Sequence, residues 1–163
     1  MVEIDVMPPS DFKPLLGTDE ATVDDKGRLL VGKKKRERLG DDFAIAIGPT
    51  GCLCAYPRWH WDHMVREMLR QDPMNLGRER FTRLWLSTAD DDLKFDSQGR
   101  FVIPADLRKL GEIKDKVVLL GAGDRMEIWA LAEYEKFMQN QDAYMRERRE
   151  AFERAYFALT DRL

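Results

Sequence analysis

The segments Asp24-Asp-Lys-Gly-Arg28 and Asp96-Ser-Gln-Gly-Arg100 share the pattern Asp-x-x-Gly-Arg, and each is followed, at the same spacing, by a second arginine, Arg36 or Arg108. A motif that recurs together with its surroundings marks a chain built from two similar units. Copy one continues through LLVGKKKRERLG, FAIAIGPTGCLCAYP and WHWDHMVREML; copy two continues through FVIPADLRKLG, KVVLLGAGDRMEIWA and LAEYEKFM. Both predict a tight turn, a short strand, a short basic helix ending in Leu-Gly, a hairpin and an amphipathic helix.

Each piece follows from local chemistry. The aspartate of Asp-x-x-Gly accepts from backbone N–H groups ahead of it, and Gly27 and Gly99 supply a positive φ. Strands are expected on both sides of each turn, at 21–23 and 29–31 and at 93–95 and 101–103. Pro104 suits the first position of a helix, where a missing N–H costs nothing. Gly40 and Gly111 suit positions just past a helix end. FAIAI with CLCAY, and KVVLL with RMEIW, read as hairpins with glycine in the connection. Trp61, Met64, Val65, Met68 and Leu69 recur with helical spacing. Asp72-Pro73 stops that helix, and Asn75 caps the next, which carries Phe81, Leu84 and Trp85. This helical hairpin joins the copies. Beyond Leu131 the pattern stays helical, with Tyr134, Met138, Met145, Phe152, Tyr156 and Leu159 forming a sparse stripe that needs a surface to lie on. Residues 1–17, with three prolines and little periodicity, read as a loose extension.

Length and charge narrow the function. The chain of 163 residues is the size of one domain or of two small lobes that share a core. No apolar run approaches the roughly 20 residues of a membrane span, and the first residues lack the basic and apolar regions of a signal peptide. Two cysteines make no disulfide framework, which suggests a reducing cytoplasm. The net charge of −3 argues against nucleic-acid binding through the whole surface. Residues 24–40, however, hold seven Lys/Arg against three Asp/Glu, whereas residues 96–111 hold three against two. Copy one is the electropositive one.

The doubled Asp-x-x-Gly-Arg, with its following strand, basic helix and Leu-Gly, resembles the MraZ family of bacterial transcriptional regulators. The linker PMNLGRERFTRLWL also looks like that family's inter-repeat helix. The likeness covers about residues 18–140. It implies an α+β fold of two tandem AbrB-like swapped-hairpin repeats forming an interlocked β-barrel, with an inter-repeat helical hairpin and a long C-terminal helix. The expected division is an extension at 1–17, a first repeat with linker helices at 18–88, a second repeat at 89–140 and a helical tail at 141–163. The resemblance further implies a closed ring of identical subunits on repeated DNA boxes upstream of the division and cell-wall gene cluster, acting as a repressor. Such a protein is cytoplasmic and nucleoid-associated. Its turns lie at the DNA-facing surface, which puts Asp24, Gly27, Arg28, Asp96, Gly99 and Arg100 on the family's motif positions. This chain departs from the pattern at Gly32, where the family has proline, and in the run Lys33-Lys34-Lys35.

Arg28 and Arg100 have two compatible roles: to pair with Asp24 or Asp96 and pin the turn, or to present a planar fork to phosphate or guanine. Lys33, Lys34, Lys35, Arg36 and Arg38 form either a solvated helix face or a phosphate grip without sequence choice. The candidate DNA-contacting set is Asp24, Lys26, Gly27, Arg28, Lys33, Lys34 and Arg36 in copy one, with Asp96, Gly99 and Arg100 in copy two. Weak contacts of this kind add together when an oligomer repeats them.

Cys52, Cys54, His60 and His63 read as C-x-C-x5-H-x-x-H, a spacing that can converge on zinc. The matching positions in copy two are Arg125, Glu127, Glu133 and Lys136, so the repeated unit closes without metal. No metal or cofactor is expected. No phosphate loop, nucleophile elbow or zinc-protease helix is present, and no enzyme activity is expected. The alternative function is a swapped-hairpin protein-interaction module, antitoxin-like or a scaffold, in which DNA binding is secondary.

Overall fold

The computed structural model describes residues 8–48 and 51–140. The chain divides into two compact units, residues 1–131 and residues 132–163. The first unit runs β1 (Thr18–Thr22), β2 (Arg28–Leu30), α1 (Lys33–Leu39), β3 (Phe43–Ile47), β4 (Leu53–Pro57), α2 (Arg58–Leu69), α3 (Leu76–Thr88), β5 (Asp90–Leu93), β6 (Arg100–Val102), α4 (Ala105–Leu110), β7 (Lys116–Gly121) and β8 (Met126–Ala130). The described part of the second unit is helical, within α5 (Leu131–Asn140). The expected tail stripe beyond it, from Met145 to Leu159, lies outside the described residues. Among the described residues, no helix is long and apolar enough to cross a membrane.

The strands pair across the copies. Six form an antiparallel sheet in the order β1-β7-β8-β4-β3-β5. Copy one's β1 pairs with copy two's β7, and copy one's β3 pairs with copy two's β5. The remaining two strands, β2 and β6, pair with each other as an antiparallel ribbon. The central strands β3 and β4 are buried on both faces, which is why their sequences FAIAI and LCAYP barely alternate. Phe43, Ile45, Leu53 and Ala55 point into the core that Leu29, Val31, Phe101, Ile103 and Leu107 complete. The other face of the same strands lies under α2 and α3. There Trp61 and Trp85 meet with ring centroids 4.9 Å apart.

Both copies contribute to one aromatic cluster. Phe43 lies 4.9 Å from Phe95 and 5.1 Å from Phe101, centroid to centroid. Each such pair contributes about 0.5–1.5 kcal/mol beyond its buried area. Neither copy has this core by itself.

Several local expectations change. The turn-flanking strands begin three residues earlier than their apolar centres suggest at β1 and β5, and one residue earlier at β2 and β6, because backbone pairing extends into polar residues. Pro104 is the residue before the helix, not its first turn; its carbonyl accepts from Arg108 N at 3.0 Å. Gly111 has φ −83°, and the left-handed residue at that helix end is Glu112, with φ 53°. Gly111 is small for another reason: a Cβ there stands 3.0 Å from Leu53 Cγ. The N-terminal extension is not loose where it nears the sheet. Leu15 is 0% exposed and exchanges two 2.8 Å backbone bonds with Gly123 of the β7–β8 hairpin. Phe12 meets Trp59 edge-on at 5.1 Å. Two adjacent leucines after a proline carry no period by which to read this docking.

Candidate nucleic-acid interface

The two turns have the same internal wiring. Asp24 Oδ1 accepts from the backbone N–H of Lys26 at 3.0 Å and of Arg28 at 2.9 Å, while Oδ2 accepts from Arg28 Nε at 2.6 Å. In copy two Asp96 Oδ1 accepts from Gln98 N and Arg100 N, both at 2.9 Å, and Oδ2 accepts from Arg100 Nε at 2.9 Å. Gly27 and Gly99 take φ of 82° and 81°. The backbone donors, led by the arginine N–H, hold the carboxyls of Asp24 and Asp96 below the usual carboxylate range. The pinning role of the arginines is thus realised, and it uses only Nε. Among the described residues the Nη nitrogens of Arg28 and Arg100 make no hydrogen bond. Each guanidinium is thus oriented at its base, through Nε alone.

The second arginine of each copy locks the other copy's turn. Arg36 lies on Gly99, and Arg108 lies on Gly27. The backbone bonds are reciprocal as well: Val31 N donates to Gly99 O at 3.1 Å, and Ile103 N donates to Gly27 O at 2.9 Å. Arg36 Nη1 also donates to Val31 O at 2.6 Å. Arg108 was outside the candidate set, although its spacing from Arg100 repeats that of Arg36 from Arg28. The repeat itself was the signal.

The ribbon of β2 and β6 covers the core with Leu29 and Phe101, which face each other and are buried. The alternate residues Arg28, Leu30, Arg100 and Val102 point outward on the opposite face. Helix α1 follows directly. Its five cations divide sharply. Lys35 is 5% exposed and pairs with Asp19. It occupies the core-facing position that copy two gives to Leu107, with its stem buried and its ammonium reaching the rim. Arg38 Nη1 donates to Pro14 O at 2.7 Å, and Arg36 is committed to the Gly99 turn. Lys33 and Lys34 are exposed, and among the described residues neither forms a hydrogen bond or ion pair. Copy two carries Ala105 and Asp106 in their place, both exposed, and Gln98 in place of the exposed Lys26. The charge asymmetry read from the segments is therefore an asymmetry of accessible side chains.

Cys52, Cys54, His60 and His63 do not form one ligand group. Among the described residues the cluster with ligand atoms within 4.8 Å of one another is Cys52, Cys54 and Glu127. Both oxygens of Glu127 are taken, by Arg125 at 2.9 and 3.1 Å and by Trp129 Nε1 at 3.0 Å. The hydrogen bond to the Cys52 thiol, together with burial, pushes the Cys54 thiol far up, which disfavours the thiolate that metal requires. His60 Nε2 lies instead 3.2 Å from Oδ2 of Asp124, in the β7–β8 connection.

Comparison with known proteins finds one family unit twice along the chain. A family model described as "MraZ protein, putative antitoxin-like" matches residues 15–84 and again residues 87–155, one Asp-x-x-Gly-Arg turn in each. The chain is 33% identical over 133 residues to the transcriptional regulator MraZ of Thermoanaerobacter sp. (strain X514), covering 82% of this chain and 92% of that protein. It is 37% identical over 128 residues to the transcriptional regulator MraZ of Pediococcus pentosaceus, covering 78% and 88%. The chain belongs to the MraZ family, whose members are transcriptional regulators and not enzymes.

Proposed function

We propose that this protein binds double-stranded DNA through the β2–β6 ribbon and the N-terminal end of α1. It does so as a ring of identical subunits on repeated boxes upstream of its own operon, within the division and cell-wall gene cluster, and it represses that operon. The observation that carries the reading is the outward face of the ribbon. Two arginines oriented by carboxylates keep their Nη donors unused there, beside the exposed Lys33 and Lys34. Arginine forks suit guanine O6/N7, and lysine suits phosphate. Asp24, Gly27, Asp96 and Gly99 act by shaping the turns; Arg36 acts by holding the opposite turn in place; Lys26 adds positive charge at the turn tip. One subunit offers few contacts, so affinity at cellular salt rests on repetition around the oligomer. The architecture fits two AbrB-like swapped-hairpin repeats interlocked as a barrel, divided as 1–17, 18–88, 89–140 and 141–163, in a cytoplasmic, nucleoid-associated protein.

The test is retardation of DNA from upstream of the protein's own gene, titrated with salt, alongside the mass in solution. Tight, salt-sensitive binding by an oligomer is expected; a monomer that leaves this DNA unshifted overturns the reading. A second reading, a protein-interaction module, draws on Leu69, Leu76, Phe81 and Leu84, which expose apolar surface on α2 and α3. A small toxin gene beside this one, with no DNA shift, would select it.

A further inference from the structure

We infer that Leu30 and Val102 are specificity-determining residues that read the methyl groups of thymine in the major groove. This inference rests on the DNA-binding reading above. The two side chains are 53% and 50% exposed. A single exposed leucine needs no explanation. These two, however, occupy equivalent positions in the repeat, each two residues after a motif arginine. The antiparallel register sets Arg28 opposite Val102 and Leu30 opposite Arg100. One face thus presents two arginine forks at one pair of opposite corners and two branched aliphatic chains at the other.

That arrangement has a chemical counterpart. A two-stranded ribbon fits the major groove, where the C5-methyl of thymine is the one apolar group on a base edge. The arginines answer to guanine O6 and N7; the aliphatic chains answer to the methyl. On one strand, residues two apart are separated by roughly 6.7 Å, about two base-pair rises of 3.4 Å each. Each strand of the ribbon therefore pairs a guanine contact with a thymine contact within about two steps. Leu30 also lines a hollow with Lys33 and Lys34, so the apolar contact and the phosphate-facing lysines share one surface; Asp19 and Glu20 line it too. Lysines contribute no choice of sequence. The forks and the aliphatic pair are left to make that choice.

The experiment removes the methyl from the DNA instead of the protein. A box is selected from a randomised duplex pool with the intact protein, and each thymine in it is then replaced by deoxyuridine. At contacted positions the wild type is expected to lose about fourfold in affinity, the equivalent of one buried methyl. Leu30→Ala is expected to bind the thymine and deoxyuridine boxes equally at one of those positions, and Val102→Ala at another. Both variants should keep the wild-type mass, melting temperature and affinity for scrambled duplex. A selected box lacking thymine, a wild type indifferent to every replacement, or variants that keep full sensitivity to it would each overturn the inference while leaving DNA binding intact. If the wild type selects no DNA at all, the DNA-binding reading fails first and the inference goes with it.

Discussion

The guanidinium of Arg36 lies on the Cα of Gly99: a Cβ built on that glycine stands 2.7 Å from Arg36 Cζ. The reciprocal pair is as close, with a Cβ on Gly27 falling 2.6 Å from Arg108 Cζ. The spacing of the second arginine from the first is therefore a distance across the molecule, from one copy's helix to the other copy's turn.

Gly99→Ala meets two obstacles, the positive φ and the arginine. The first costs roughly 1–2 kcal/mol; the second adds to it unless Arg36 moves. Urea unfolding should show Gly99→Ala destabilised by at least that amount. In the double variant with Arg36→Ala the combined loss should be smaller than the sum of the single losses, because one obstacle is gone. Strict additivity would mean the two residues do not meet.

Arg28→Ala should sharply reduce discrimination between box and scrambled DNA while the oligomer persists, since the Arg28 side chain spends only Nε on the fold. A lost bidentate contact is worth about 1–3 kcal/mol of discrimination. Arg28→Lys should recover general affinity but not discrimination, because the ammonium lacks the fork. Competition binding with both duplexes measures this, and unchanged discrimination in Arg28→Ala would remove the arginine from the interface.

Lys34→Ala should weaken binding to all sequences alike. Each phosphate contact contributes about −0.9 to the slope of log K against log salt. The variant's slope should be shallower by that amount for every Lys34 in contact, and an unaltered slope would show that Lys34 faces only water.

Gly32→Pro should stabilise the protein by about 0.4–1 kcal/mol. Gly32 has φ −62°, close to the −53° of Pro104 at the equivalent place in copy two. A Cβ on Gly32 meets nothing within 4 Å, and among the described residues its N–H makes no hydrogen bond. Thermal unfolding reads the gain, and a lower melting temperature would contradict it.

Acid should loosen both turns together. The folded state holds the Asp24 and Asp96 carboxyls below the ordinary 3.8. Their contribution is therefore complete above that pH and is lost as pH falls through the lowered values. With both aspartates changed to asparagine, the chain should be less stable than the wild type at neutral pH and lose less below about pH 4. Parallel acid-unfolding curves would show that the carboxylates do not matter.

The parts legible in the sequence were those set by short-range chemistry. The Asp-x-x-Gly turns, the Asn75 cap, which accepts from Arg78 N at 2.9 Å, and the two hairpins all depend on residues a few positions apart. The pairing of β1 with β7 and of β3 with β5 was not readable in this way, because β1 (TDEAT) and β5 (DDDL) are short, polar strands with no apolar alternation to mark them or their partners. Nor was the sorting of the cations. In KKKRER the five cations look alike, and only the placement of α1 against Asp19, Pro14 and Gly99 separates Lys35, Arg38 and Arg36 from the exposed Lys33 and Lys34. The zinc-like spacing of Cys52, Cys54, His60 and His63, on which no metal was expected, does not bring the four together, because cysteines on a strand and histidines on the following helix converge only if the chain turns the right way between them.

The mutual clasp of turn and helix has a consequence for inheritance. Because each half supplies the partner strands and the latch for the other, a gene fragment encoding either half alone would leave strand edges bare and a latch with nothing to close on. The halves are nonetheless free to drift apart at outward positions, as lysine against alanine and aspartate at the two helix starts attests.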